Sequence, residues 1–133
     1  MNGFLLDTNI CIFYLRGKYA LNKKLGIVGF ENCYISEITL AELKYGAECS
    51  NKIHENRVLI AEFAQEINIL PAFDCFDIYA QEKARLRKEG KLIDDFDLLI
   101  ASTAILNKLT LVTENTKHFD RINHLIIENW IER

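Results

Sequence analysis

Cationic excess is missing from this chain: 16 Lys and Arg stand against 19 Asp and Glu, a formal net charge of -3. That excludes the broad basic footprint of a protein that coats nucleic acid, so any phosphate contact must come from cations gathered locally. Proline and glycine are scarce, one and six among 133 residues. This leaves no room for a Pro/Gly-rich linker or a low-complexity tract and points to one domain. No apolar run reaches the ~18 residues of a membrane span. Met1-Asn2-Gly3 carries no basic region and Asp7 interrupts the apolar stretch behind it, so no signal peptide is expected and a soluble, cytoplasmic protein is. The four cysteines, Cys11, Cys33, Cys49 and Cys75, form no C-x-x-C pair. Zinc held at cysteine spacing is thereby disfavoured, and the expectation is ordinary, partly buried free thiols. His54, His118 and His124 are scattered, and no motif supports a Ser-His-Asp triad.

What is present is an alternation of short apolar runs and helical patterns. Gly3–Leu6 reads as a strand, followed by a helix capped by Thr8 or Asn9 that runs to about Arg16. A short helix fits Leu21–Val28 and a second strand Cys33–Ser36. Ser36 or Thr39 opens a helix from Ile38 to about Glu48, and another spans Asn56–Glu66. Ile67–Leu70 is a strand; Asp74 or Asp77 starts a helix to Glu89, stopped by Gly90. Phe96–Leu106 is apolar almost all round and predicts a buried helix, with strands at Leu109–Val112 and Leu125–Ile127. Strands alternating with helices predict an α/β fold: a central, mainly parallel sheet flanked by helices.

Three acids have a common setting. Asp7 directly follows the apolar run Phe4-Leu5-Leu6, Glu42 lies about one turn into the helix after the second strand, and Asp97 leads into the buried helix. In an open parallel sheet, ligands bind beyond the carboxyl ends of the strands, and each of these positions belongs at that edge. Thr113, Glu114 and Asn115, after the run Leu109–Val112, belong there too. Converging carboxylates form a hard-cation site whose usual occupant is Mg²⁺ or Mn²⁺. Each acid also has a local alternative. Asp7 suits a helix cap, Glu42 suits a capping box with Thr39, and Asp94, Asp95 and Asp97 suit a helix dipole. Capping alone gives no reason for the caps to meet at one edge.

The segments LLDTNICIFYL, ISEITLAELKYGAE, GKLIDDFDLLIASTAI and LTLVTENTKHFDRI, in that order and with ENWIER at the carboxyl end, resemble the blocks of PIN-domain proteins, most closely VapC-type toxins of bacterial toxin–antitoxin pairs. The resemblance implies one α/β/α domain over residues 1–133, cytoplasmic in a prokaryote, and a homodimeric endoribonuclease dependent on Mg²⁺ or Mn²⁺. It places the catalytic and metal-binding acids on Asp7, Glu42 and Asp97, with Thr8, Asn9, Thr113 and Asn115 as supporting polar groups. It also implies inhibition by a VapB-like antitoxin whose tail enters the acidic groove. Many PIN nucleases offer a fourth acid in the last block. Here Asn115 occupies that position, so the fourth ligand is an amide or missing, or is replaced by Glu114, Asp94 or Asp95.

For RNA phosphates the candidate cations are Lys44, Arg85, Arg87 and Lys88, against the alternative of an ordinary solvated helix face with Glu82 and Glu89 interleaved. The other functions compatible with these residues are a PIN-fold nuclease of RNA processing or DNA cleavage, and a non-catalytic module that binds RNA or protein.

Overall fold

In the computed structural model, which describes residues 3–133, five parallel strands form one sheet in the order β3-β2-β1-β4-β5. Met1 and Asn2, the start of the segment considered for a leader, lie outside the described residues. The strands are β1 (Phe4–Leu6), β2 (Cys33–Ser36), β3 (Asn68–Leu70), β4 (Thr110–Val112) and β5 (Ile127–Glu128). The helices are α1 (Thr8–Leu15), α2 (Leu21–Val28), α3 (Glu37–Glu48), α4 (Ile53–Glu66), α5 (Phe76–Lys88), α6 (Asp95–Leu106) and α7 (Thr116–Phe119). No helix among the described residues is long and apolar enough to cross a membrane.

Side chains alternate across a strand, so successive apolar residues of β1 bury on opposite faces. Leu6 enters a core with Ile10, Leu21, Ile35, Leu43, Phe63 and Val112, while Leu5 enters a second core with Leu86, Leu98, Ile100, Leu111 and Phe119. Helices α1 to α4 thus supply one face, and α5, α6 and α7 the other. Each fully buried aliphatic side chain contributes roughly 1.5–3 kcal/mol. The apolar-all-round α6 is buried as its sequence predicts, and its hydroxyls are satisfied within the helix: Ser102 Oγ donates to the Leu98 carbonyl at 2.7 Å and Thr103 Oγ1 to that of Leu99 at 2.9 Å.

Several boundaries move for local reasons. Asp7, not Thr8 or Asn9, caps α1; its Oδ1 accepts from the Thr8 amide at 2.9 Å. Ser36 caps α3, accepting from the Ile38 amide at 3.1 Å, so Thr39 lies inside the helix and the Thr39–Glu42 capping box does not form. Helix α4 starts three residues earlier than its apolar pattern, at Ile53. Neither Asp74 nor Asp77 caps α5, because a 3₁₀ turn over Phe73–Cys75 leads into it. The last strand lies at Ile127–Glu128 and not Leu125–Ile127. Cys11, Cys33 and Cys75 are buried thiols, whereas Cys49 is exposed.

Candidate active site

The strand order reverses direction between β1 and β4. Chain connections leave that pair toward β2 and β3 on one side and toward β5 on the other. This is a topological switch point, where the loops beyond two neighbouring strands separate and open a crevice. Asp7 follows β1 and Thr113 follows β4 at that crevice, and the Asp7 amide donates to the Val112 carbonyl at 2.9 Å, so the two strand ends are tied together.

Asp7 is 5% exposed. Its Oδ2 accepts from Thr113 Oγ1 at 2.7 Å while Oδ1 caps α1, so both carboxylate oxygens are oriented by the fold. Burial raises its pKa above the ordinary 3.8, and the bonds from Thr113 and Thr8 pull against that rise. Glu42, on α3, accepts from Thr8 Oγ1 at 2.6 Å. Because that bond uses the single Thr8 hydroxyl proton, the 3.1 Å contact between Thr8 Oγ1 and the buried Thr39 Oγ1 has Thr39 as donor. A Thr39-Thr8-Glu42 chain therefore links α3 to α1. Burial raises the Glu42 pKa, Thr8 lowers it, and the charges of Asp7 and Asp94 raise it again.

Asp97 stands in the first turn of α6, where the helix dipole favours a negative charge. Its pKa is nevertheless pushed up to about 7, first by burial and then by the charges of Asp7, Asp94 and Glu42. Side chains from α3, from α6 and from the end of β1 thus feel one another's charge across a partly dry crevice. Among the described residues no three His, Cys, Asp or Glu side chains form a ready-made cage for an ion. The donors fit Mg²⁺ or Mn²⁺ in another way. They are hard oxygens only, their pKa values are raised by burial and, at Glu42 and Asp97, also by neighbouring negative charge that a cation would offset, and Mg²⁺ keeps several waters and takes one or two carboxylates.

The other expected residues divide. Thr8 and Thr113 support the carboxylates, whereas Asn9 is exposed on the first turn of α1. The Asn115 amide donates to Thr113 Oγ1 at 3.0 Å, which extends the Asp7–Thr113 bond into the loop after β4. Of the replacements for a fourth acid, Glu114 is gripped by both Arg133 donors, and Asp95 accepts from Tyr79 OH at 2.8 Å and pairs with Lys83 at 2.8 Å. Asp94 remains: it caps α6, accepting from the Phe96 amide at 3.0 Å, and acts electrostatically on both Glu42 and Asp97.

Of the four cations, Arg85 is held by Glu82 at 2.8 Å and Glu89 at 2.5 Å and donates to the Arg121 carbonyl at 2.9 Å. It ties α5 to the loop before β5. Lys44 is exposed but two residues past Glu42, hence on another side of α3. Arg87 and Lys88 are exposed in the last turn of α5, which leads through the loop at 89–94 to Asp94 and Asp97. Thr39 and the Arg133 clamp went unread as site supports; a Thr one helical turn before Glu42 was the only sequence sign of the first.

Beside Glu42 an apolar groove runs between α1, α3 and α4, lined by Ile12, Leu15, Leu43, Ala47, Leu59 and Ile60, with Arg16 and Glu42 at its polar edge. Phe73 and Phe76 lie with ring centroids 5.6 Å apart, tilted at 56°, and are 74% and 46% exposed, and Phe96 on α6 is 48% exposed.

The family model of the PIN domain matches residues 4–125. The chain is similar to the ribonuclease VapC2 of Rickettsia felis, with 39% identity covering 96% of this chain and 97% of that protein. It is also similar to the tRNA(fMet)-specific endonuclease VapC of Shigella flexneri, with 36% identity covering 98% and 99%. Among solved structures, DNA-bound VapBC from Salmonella typhimurium superposes with a TM-score of 0.90 at 32% identity, covering 98% of this chain and 99% of that one. VapBC2 of Rickettsia felis bound to a promoter DNA fragment gives 0.88 at 37% identity, covering 96% and 98%.

Proposed function

We propose, from the premise that this chain belongs to the PIN-domain family, that it is an endoribonuclease of the VapC kind, the toxin of a toxin–antitoxin pair. The observation that carries the reading is the meeting of Asp7, Glu42 and Asp97 at the β1–β4 switch point, in a chain that matches VapC ribonucleases end to end. The substrate class is RNA, with a tRNA as the first to test, because two relatives are named for tRNA(fMet).

Asp7, Asp97 and Glu42 would hold Mg²⁺ or Mn²⁺, which when bound lowers the pKa of water and neutralises charge growing on the phosphate. The protein groups do the rest. Thr113 and the Thr8 amide fix both oxygens of Asp7, and Thr8 Oγ1 fixes Glu42, so the carboxylates are set before the RNA arrives. Water attacks phosphorus in line, a new P–O bond forms, and one ester P–O bond breaks. The proton released by the water passes to a carboxylate oxygen of Glu42 or Asp97, and solvent protonates the leaving oxygen. Arg87 and Lys88 meet phosphates on the approach to Asp97.

The antitoxin partner, VapB-like, seats an apolar segment in the groove between α1, α3 and α4 and brings a cationic side chain to the acidic end beside Glu42. Structural relatives crystallised as VapBC complexes support this partner. A second copy of the chain covers the exposed Phe73–Phe76 pair, and the two copies act in the cytoplasm of a prokaryote.

The test is cleavage of a tRNA pool by the purified chain in Mg²⁺, Mn²⁺ or EDTA, with Asp97→Asn prepared in parallel. Cutting that needs the metal and disappears in the variant supports the assignment. Equal cutting by both proteins refutes it.

A further inference from the structure

Asn115 occupies the amino-terminal cap of α7, yet its side chain makes no capping bond there. An Asn at that position ordinarily turns its carbonyl oxygen to the first free amides of the helix. Here the side chain turns instead to His118, one helical turn on, with Asn115 Nδ2 and His118 Nδ1 at 2.9 Å. An amide nitrogen can only donate, so Nδ1 is the acceptor and the ring proton sits on Nε2. The amide group is planar, so fixing Nδ2 also fixes Oδ1, and among the described residues no donor reaches that oxygen. The same residue is anchored to the acid cluster through its backbone: the Asn115 amide donates to Thr113 Oγ1 at 3.0 Å, and Thr113 Oγ1 donates to Asp7 at 2.7 Å. The Asn115 side chain thus stands two hydrogen bonds from the Asp7 carboxylate, half-buried, with its carbonyl oxygen unbonded within the described residues.

We propose that His118 is a positioning residue: it locks the Asn115 amide so that Oδ1 is presented, as an acceptor, to a hydroxyl or amino donor of the RNA beside Asp7. His118 is itself exposed at the surface of α7 and need not touch the reacting phosphate. The proposal rests on the ribonuclease reading above. Its test therefore compares variants that all keep Asp7, Glu42 and Asp97.

His118→Phe keeps a ring and removes the acceptor, whereas His118→Asn keeps an acceptor oxygen at the position of Nδ1. On a tRNA substrate, His118→Phe is expected to lower kcat/KM about five- to tenfold, the size of one oriented hydrogen bond, while His118→Asn stays within about twofold of the parent. Asn115→Ala should lose a similar factor, and adding His118→Phe to it should cost nothing more, since the residue being positioned is gone. A nitrogen-15 spectrum of the imidazole should show the proton on Nε2 without any substrate present. Independent, multiplying losses in the double variant, or an equal loss in His118→Asn and His118→Phe, would overturn the proposal in favour of direct contact between the imidazole and RNA. Wild-type cleavage by His118→Phe would overturn it outright. If the parent protein cuts no RNA, the ribonuclease reading fails instead, and the nitrogen-15 spectrum still reports whether the Asn115–His118 lock exists.

Discussion

Asp97→Asn should stabilise the metal-free protein, and by an amount that grows with pH. Asp97 titrates near 7 in the folded chain against an ordinary 3.8 when unfolded. Between these values the folded chain still holds a proton that the unfolded chain has released, so folding weakens as pH rises. The contribution is fully favourable below 3.8 and is lost as pH passes 7. Three units correspond to a ceiling of about 4 kcal/mol. The carboxylate is only half-buried, and solvent screening reduces this to roughly 1–2 kcal/mol. Asparagine carries no charge at any pH and also relieves Glu42, which feels the same cluster. The variant should therefore melt about 4–8 °C above the parent at pH 8 in EDTA, with the gap closing toward pH 4. Excess Mn²⁺ should reverse the order, because ligand binding stabilises only the protein with the site intact. Differential scanning fluorimetry across pH, with and without metal, measures all four arms. A gap independent of pH, or a parent that is the more stable at pH 8 without metal, would refute the reasoning that these acids repel one another in a partly dry crevice.

Thr113→Val removes the donor to Asp7 Oδ2 from a fully buried position. It should destabilise the fold by about 1–3 kcal/mol in urea melts and slow RNA cleavage at least tenfold, and a neutral outcome would mean that Asp7 needs no such orientation. Charge reversal at Arg87 and Lys88 together should weaken RNA binding and flatten its salt dependence by about one to two phosphate contacts, measured by anisotropy without metal. Arg85→Gln should instead lower thermal stability, because its guanidinium is already held by Glu82, Glu89 and the Arg121 carbonyl. Phe73→Glu, at a residue 74% exposed, should leave the melting temperature within a few degrees while shifting light-scattering mass toward the monomer; an unchanged dimer places the interface elsewhere.

The alternation of strands and helices was legible because the inner strands β1, β2 and β4 are largely buried apolar runs that each break at a polar residue. Leu21–Val28 and Cys33–Ser36 fall where the pattern places them, since Gly29 ends the one and Ser36 caps the helix after the other. The errors have local causes. Choosing among Ser36 and Thr39, or Asp7, Thr8 and Asn9, depends on which side chain reaches a free amide, and several types satisfy the same pattern. The 3₁₀ turn before α5 and the four residues of α7 are too short to show a period. Arg133 meets Glu114 across 19 positions and Arg85 meets the Arg121 carbonyl across 36, and no window of the chain contains such pairs.

The site was legible for a different reason. Its location follows from topology: an acid after β1, one in the helix after β2 and one opening the helix before β4 must share the carboxyl edge of a parallel sheet, whatever their individual rotamers. Its chemistry does not follow from topology. The three acids of IDDFD look alike in the sequence, yet Asp95 pairs with Lys83, Asp94 is spent on capping α6, and Asp97 is driven to about 7. That difference arises from burial and from charges brought in by α1 and α3, which are tertiary quantities. The local alternative for Asp7 was also correct, since it does cap α1. Capping and the proposed catalytic role are compatible here because the cap uses Oδ1 and Thr113 fixes Oδ2, so the bond that starts the helix also aims the carboxylate. Replacing Asp7 by Asn would keep a capping oxygen while removing the charge. Loss of activity with little loss of stability in that variant is therefore what separates the two roles of one side chain.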